Sequence, residues 1–351
     1  VFLAHDLAGL YAEEWDMVAF ESRGGRSLKD ICFAPGEMRI FRLVQQKISA
    51  PAARDWVRAE LPAAMPYSLS EPNVLVLDYA AYFVDGEPQN GGKAEDVLLA
   101  DRALRAKFGL TPRGGEMVQP WYAAKYGKTD KVFGKVRLEY SFDSEIECSA
   151  LVAAEYDGIA CNGVPAAREE GRWVDSCFRL YRVQVKKGAN KLTVELDFRQ
   201  SENLEAMYLL GDFGVRLPHT LVPLPETLSP QDMASQGLPY YGGAVTFRTG
   251  VAGGNIRVVA KELHGVSLHV SGGAAEKVIA FHPYETEVKT DGELALTVYF
   301  TRRNTFGPHH LIPQPQGAYG PESWVSTGEN HTDEYVLVPQ GFTAEVYREK
   351  E

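Results

Sequence analysis

The stretch Val152-Ala153-Ala154-Glu155-Tyr156-Asp157-Gly158-Ile159 decides the reading, because it returns later as Val259-Ala260-Lys261-Glu262-Leu263-His264-Gly265-Val266. Further on, Gly188-Ala189-Asn190-Lys191-Leu192-Thr193-Val194 finds a counterpart in Gly292-Glu293-Leu294-Ala295-Leu296-Thr297-Val298. Between the two halves lie Asn162-Gly163 in the first copy and Ser271-Gly272-Gly273 in the second. These residue types accept positive φ and suit hairpin turns. The order is the same in both copies, and a few residues lost from one loop account for the drift in spacing. A strand, a turn, then a glycine-led hairpin into a Leu-Thr-Val strand is a supersecondary unit used twice, over about 150–200 and 257–300.

Working outward, strand patterns dominate. Val136, Leu138, Tyr140 and Phe142 alternate with polar residues, as a half-buried strand requires. The same period recurs at Leu192-Val194-Leu196-Phe198, Val245-Phe247, Leu294-Leu296-Val298-Phe300 and Phe342-Ala344-Val346. Short strands divided by Gly, Asn and Asp point to antiparallel sandwiches rather than βαβ units. One helix is expected over Ala94–Phe108, its face set by Val97, Leu98, Leu104 and Phe108, with Asp96, Asp101, Arg102 and Arg105 mostly elsewhere. A second possible helix runs from Ala52 to Leu61, limited by Pro62. Pro218, Pro223, Pro225 and Pro230 mark a stiff extended linker. The expected organisation is therefore mainly β with a few short helices. Residues 1–65 read as the end of a preceding β domain, 66–217 as a first sandwich opened by Asn73–Asp78, and 218–351 as a second.

Composition narrows the partners. A chain of 351 residues with 45% hydrophobic and 11% aromatic residues has ample material for more than one core. A net charge of −11 argues against nucleic acid, whose binding is dominated by Lys and Arg neutralising phosphates. No apolar run is long enough to span a bilayer, so no membrane partner is expected. The opening Val1-Phe2-Leu3-Ala4-His5-Asp6 has neither a basic stretch nor a cleavage site, so no signal peptide is expected. Cys32, Cys148, Cys161 and Cys177 lack CxxC spacing and read as small buried or half-buried residues of a reducing, cytoplasmic setting.

The strings Asn162-Gly163, Gly188-Ala189-Asn190-Lys191-Leu192, Gly211-Asp212-Phe213-Gly214-Val215 and Asn304-Thr305-Phe306-Gly307-Pro308-His309-His310 resemble galactose-binding-like jelly rolls. These modules occur in large bacterial glycoside hydrolases of the glycosidase-2 and rhamnosidase type. The likeness covers roughly residues 73 to 348. In such enzymes catalysis resides in a separate barrel, and no βα alternation here suggests one. The resemblance thus implies a non-catalytic accessory region, with carbohydrate or a missing catalytic domain as partner.

Candidate residues follow from chemistry. His309 and His310 are suited to hydrogen-bonding a sugar, to holding a metal, or to capping backbone groups in a turn bent at Gly307-Pro308. Glu205 and Asp212 are the conceivable glycosidase carboxylates, although an extended segment would hold them ~20 Å apart. Trp121, Tyr122, Tyr126, Trp173 and Trp324 offer rings for sugar stacking, with Asn304 and His309 as polar contacts. Glu155, Asp157 and Asp175 are conceivable ligands of a structural calcium; no metal site and no cofactor is assigned. Three functions remain open: an accessory carbohydrate-binding or domain-positioning region; a complete hydrolase or lyase working through Glu205, His309 and His310 between the modules; and a structural or protein-interaction array.

Overall fold

The computed structural model describes residues 9–18, 20–28, 31–50, 52–112, 131–273, 275–314 and 318–350. Strand makes up 46% of it and helix 8%, so the chain is mainly β, arranged in several antiparallel sheets. The first strands are β1 (Tyr11–Trp15), β2 (Ser22–Arg26) and β3 (Ile40–Val44), which form a small sheet of order β2-β1-β3. Then come β4 (Trp56–Ala59), β5 (Tyr67–Leu69), β6 (Asn73–Leu77), β7 (Tyr79–Val84), β8 (Glu87–Pro88), β9 (Glu95–Asp96) and α1 (Val97–Phe108). The first repeat supplies β10 (Gly134–Ser144), β11 (Cys148–Ala154), β12 (Ala160–Cys161), β13 (Val164–Pro165), β14 (Ala167–Glu169), β15 (Arg179–Val185), β16 (Gly188–Phe198) and β17 (Met207–Gly211). After β18 (Gly214–Arg216) and β19 (Thr220–Val222), the second repeat supplies β20 (Ala244–Gly250), β21 (Gly254–His264), β22 (Ser267–Ser271), β23 (Glu276–Ile279), β24 (Glu285–Thr290) and β25 (Glu293–Tyr299). A short helix, α2 (Arg303–Phe306), and the closing strand β26 (Gly341–Glu349) complete the chain.

The two repeats pair their strands alike. β10 lies against β16 and β7, as β20 lies against β25 and β5. β12 joins β16 to β13, as β22 joins β25 to β23. β11 sits between β15 and β17, as β21 sits between β24 and β26. Beside β17 runs β6, and beside β26 runs β4. The repeated unit is therefore wider than the two quoted stretches: it is a whole two-sheet sandwich.

The Leu-Thr-Val strands match inward position for inward position, with Leu192, Val194, Leu296 and Val298 all buried. Gly188 and Gly292, which lead into them, both hold positive φ, at 91° and 135°. The other stretch slips. Val152 is buried, but Val259 is half-buried and Val258 takes the inward place. The register of β21 against β26 shifts between Ala260 and Glu262, and one extra residue in a strand turns every side chain before it to the other face.

Several expectations change. Ala52–Leu61 contains β4 and no helix, because Trp56 to Ala59 pair with Val346 to Glu349. β4 and β5 precede the first sandwich in the chain yet pair into the second, so strand pairing crosses the expected boundary at 65/66. The proline-rich stretch is packed structure and not an extended linker: Thr220–Val222 is a strand beside β10, and Leu228 is wholly buried against Met65 in the second core. Helix α1 starts later than expected, capped by the Asp96 carboxylate accepting from Leu98 N at 2.7 Å. Its face also differs. Asp101 and Arg105 are completely buried, paired at 2.8 Å, and tie down the backbone of Gln200, Glu202 and Leu204. Cys32 and Cys177 are exposed, and only Cys161 is buried.

Each sandwich has its own core. Val76, Leu138, Tyr140, Val152, Leu192, Val194 and Phe213 anchor the first; Val245, Phe247, Val258, Leu296, Val298 and Phe342 anchor the second. The neighbours Tyr240 and Tyr241 divide between them, one ring in each core. Among the described residues, the β1–β3 sheet contributes to neither core.

Candidate functional site

The two copies differ most between their last two strands. Residues 199–206 make that connection in the first copy, and residues 300–340 make it in the second. This longer arm leaves the second sandwich at α2 and reaches the first. Phe306 enters an aromatic box on the first sandwich, stacked 5.8 Å from Phe178 and edge-on to Tyr208 at 5.4 Å, with Trp173 at 5.7 Å. Arg302 makes a two-pronged ion pair with Glu71, its guanidinium also over the Trp173 ring.

The polar centre lies beside this wedge. Asp78, which ends the buried run of β6, is itself buried. It accepts from His310 Nε2 at 3.2 Å and from the Tyr335 hydroxyl, both on the arm. His309 Nδ1 stands 3.8 Å and His219 Nε2 4.0 Å from the same carboxylate. His219 Nε2 is also 2.6 Å from the Tyr335 oxygen. Because the Tyr335 proton is given to Asp78, His219 donates here.

Electrostatics follow from this crowding. Burial pushes the Asp78 carboxyl up, but the hydrogen bond from His310 and the nearby imidazoles outweigh it and hold it below the usual range. Burial pulls His310 down, yet the Asp78 hydrogen bond and charge leave it raised. His309 and His219 are lowered by burial, against the pull of Asp78. Asp96, opposite, is raised by burial.

The arm is pinned by its own amides and imidazoles. Asn304 is buried, and its side chain both donates to Val338 O at 2.9 Å and accepts from Val338 N at 2.8 Å. His309 Nε2 donates to Asn304 O and His310 Nδ1 to Thr332 O, each at 2.9 Å. Gly307 is needed at the bend between them, since a Cβ there would meet His309 N at 2.9 Å.

Glu205 reaches the same place. A cavity of about 80 Å³ is lined by Asp78, Asp96, Glu205, His309, His310 and Trp324, among apolar neighbours. Small-molecule sites commonly enclose ~300–1,000 Å³, so this one is too small to enclose a sugar ring. Asp212 is exposed past the far end of β17, away from that group. Trp324 stands on the rim, 40% exposed, its indole N–H donated to Phe306 O at 3.1 Å. Trp173 is only 7% exposed, its ring closed off by Phe178, Tyr208 and Phe306. Trp121, Tyr122 and Tyr126 lie outside the described residues. Two of the three residues raised for calcium are engaged otherwise: Asp157 with Arg168, Arg179 and Tyr181, and Asp175 with the backbone of Cys177. Among the described residues no group of three or more His, Cys, Asp or Glu could hold a metal ion, and no helix is long and apolar enough to cross a membrane.

Sequence reasoning found His309, His310, Asn304 and Glu205 but missed Asp78, Tyr335, His219 and Arg302. The available signal was Asp78 itself, a carboxylate closing five consecutive buried residues. No family model matches this chain, and no curated protein matches it.

Proposed function

We propose that this chain is a non-catalytic accessory region of a glycoside hydrolase-like protein, two sandwiches that position a catalytic domain or hold glycan. The observation carrying this reading is how the densest polar cluster spends its hydrogen bonds. Asp78, His310, Tyr335, His219 and Asn304 bind one another or the backbone, around a cavity too small for a pyranose. A catalytic acid and base need open access to a substrate, and these groups are turned on each other. The partner surface proposed is the β1–β3 sheet region, where Tyr11, Phe20, Met38, Ile40 and Leu43 are exposed. Trp324, an exposed ring on the rim of the cavity, is the place for glycan contact.

A second reading, a complete hydrolase or lyase, is favoured by one observation: Glu205, Asp78, His309 and His310 line the same cavity. Glycan-array binding of the chain, run beside hydrolysis of aryl glycosides, separates the two. The accessory reading expects no turnover, and any glycan binding to weaken in Trp324→Ala. Turnover that survives dialysis and vanishes in His309→Ala would establish the second reading instead.

A further inference from the structure

Both nitrogens of the His310 ring face acceptors. Nδ1 is 2.9 Å from the Thr332 carbonyl, and Nε2 is 3.2 Å from the Asp78 carboxylate. Neither partner has a proton to give while Asp78 is ionised, so both ring nitrogens must carry one. His309 differs: only its Nε2 meets a backbone acceptor, while Nδ1 is 3.8 Å from Asp78, beyond hydrogen-bond reach. The adjacent histidines therefore hold different charges, His310 as imidazolium and His309 as neutral imidazole.

We propose that His310 is a proton-operated latch: as imidazolium it fastens the 300–340 arm to the first sandwich, and loss of its proton releases the arm. When the proton leaves to water, one nitrogen keeps a hydrogen and the other presents a lone pair. Whichever remains protonated, the bare nitrogen then faces the Asp78 carboxylate or the Thr332 carbonyl. Either outcome replaces a charge-assisted hydrogen bond with a repulsive, buried contact.

The surroundings leave little alternative. From the first sandwich His310 meets Asp78, the Asp96 charge and the edge of the Tyr79 ring at 5.5 Å. From the segment between the sandwiches comes His219, whose charge would oppose that of His310. From the arm come Tyr335 at 4.9 Å, His331 at 5.9 Å and His309 at 6.3 Å between ring centroids, with Arg303 acting on His309. Two carboxylates thus favour the proton on His310, and burial disfavours one on His309 and His219. Once the arm leaves Asp78 it loses cover for bonds of its own: Thr332 N donates to His310 O at 3.0 Å, and Val336 N to His309 O at 2.7 Å.

The test uses the full chain, labelled with nitrogen-15 and titrated across neutral to alkaline pH. Imidazole nitrogen shifts report the protonation of His310, assigned by the signal missing in His310→Asn. Protection factors of the Thr332 and Val336 amides, normalised to intrinsic exchange, report whether the arm is fastened. The expected result is two protonated nitrogens at neutral pH, and loss of amide protection with the same midpoint as the titration. In Asp78→Asn that titration midpoint moves to lower pH. A single neutral tautomer at neutral pH overturns the proposal. So does protection that stays level while His310 loses its proton.

Discussion

His310 Nε2 and Asp78 Oδ2 lie 3.2 Å apart although 232 positions separate the residues in the chain. One belongs to the arm of the second sandwich and the other directly follows β6 of the first, so the contact fixes where the two halves meet. Taking two charges out of water costs about as much as their attraction returns, so such a pair is weak evidence of net stability. Its consequence is specificity. Few other placements of the arm would give His310 two acceptors and Asp78 two donors at once.

The pH dependence of stability follows from the directions of the shifts. His310 is raised, so its contribution is complete below the unfolded value of ~6.5 and is lost as pH rises through the folded value. His309 and His219 are lowered by burial, so theirs is complete above ~6.5 and is lost as pH falls. Asp78 is lowered, so it adds a further loss only in stronger acid, below ~3.9. Denaturation midpoints measured across pH should therefore peak near ~6.5. In Asp78→Asn the alkaline limb should flatten, and a steeper limb there would contradict the sign of the His310 term.

Phe306→Ala removes the ring that packs with Trp173, Phe178 and Tyr208 across the junction. The ring is half-buried, so the expected cost is about 3 kcal/mol, at the low end for truncating a buried phenylalanine. Near-ultraviolet circular dichroism should lose intensity as the three remaining aromatic rings lose their fixed packing. An unchanged spectrum with full stability would mean that the wedge carries nothing.

Asp101→Asn leaves Arg105 buried without its carboxylate partner at 2.8 Å. Breaking a fully buried pair on one side costs about 3–5 kcal/mol. Equilibrium urea unfolding checks this, and replacing both residues by apolar ones of similar volume should recover most of the loss. If the double replacement is as damaging as the single, the charge pair is not the reason.

The fold was legible where alternation and turn chemistry agree. Leu192, Val194, Leu296 and Val298 show their facing directly, and the glycines before them mark the turns. Val259 does not share the facing of Val152, because a bulge adds a residue without altering composition. The buried Asp101 and Arg105 were misplaced because charged residues on a helix ordinarily face water, and the 200–204 loop that covers them is distant in sequence. The site was half legible. His309 and His310 attract notice as a dense string, whereas Asp78 and Tyr335 become partners only through folding across 257 positions. Interleaving of β4 and β5 into the second sandwich has no local signature either, since pairing partners so distant leave no spacing to read.

The proposal that the polar cluster is a structural joint is tested most directly by equilibrium unfolding of Asp78→Asn. Removing the charge from Asp78 leaves His310 facing a neutral group, and about 3–5 kcal/mol of stability should be lost. Undiminished stability in Asp78→Asn would contradict the account.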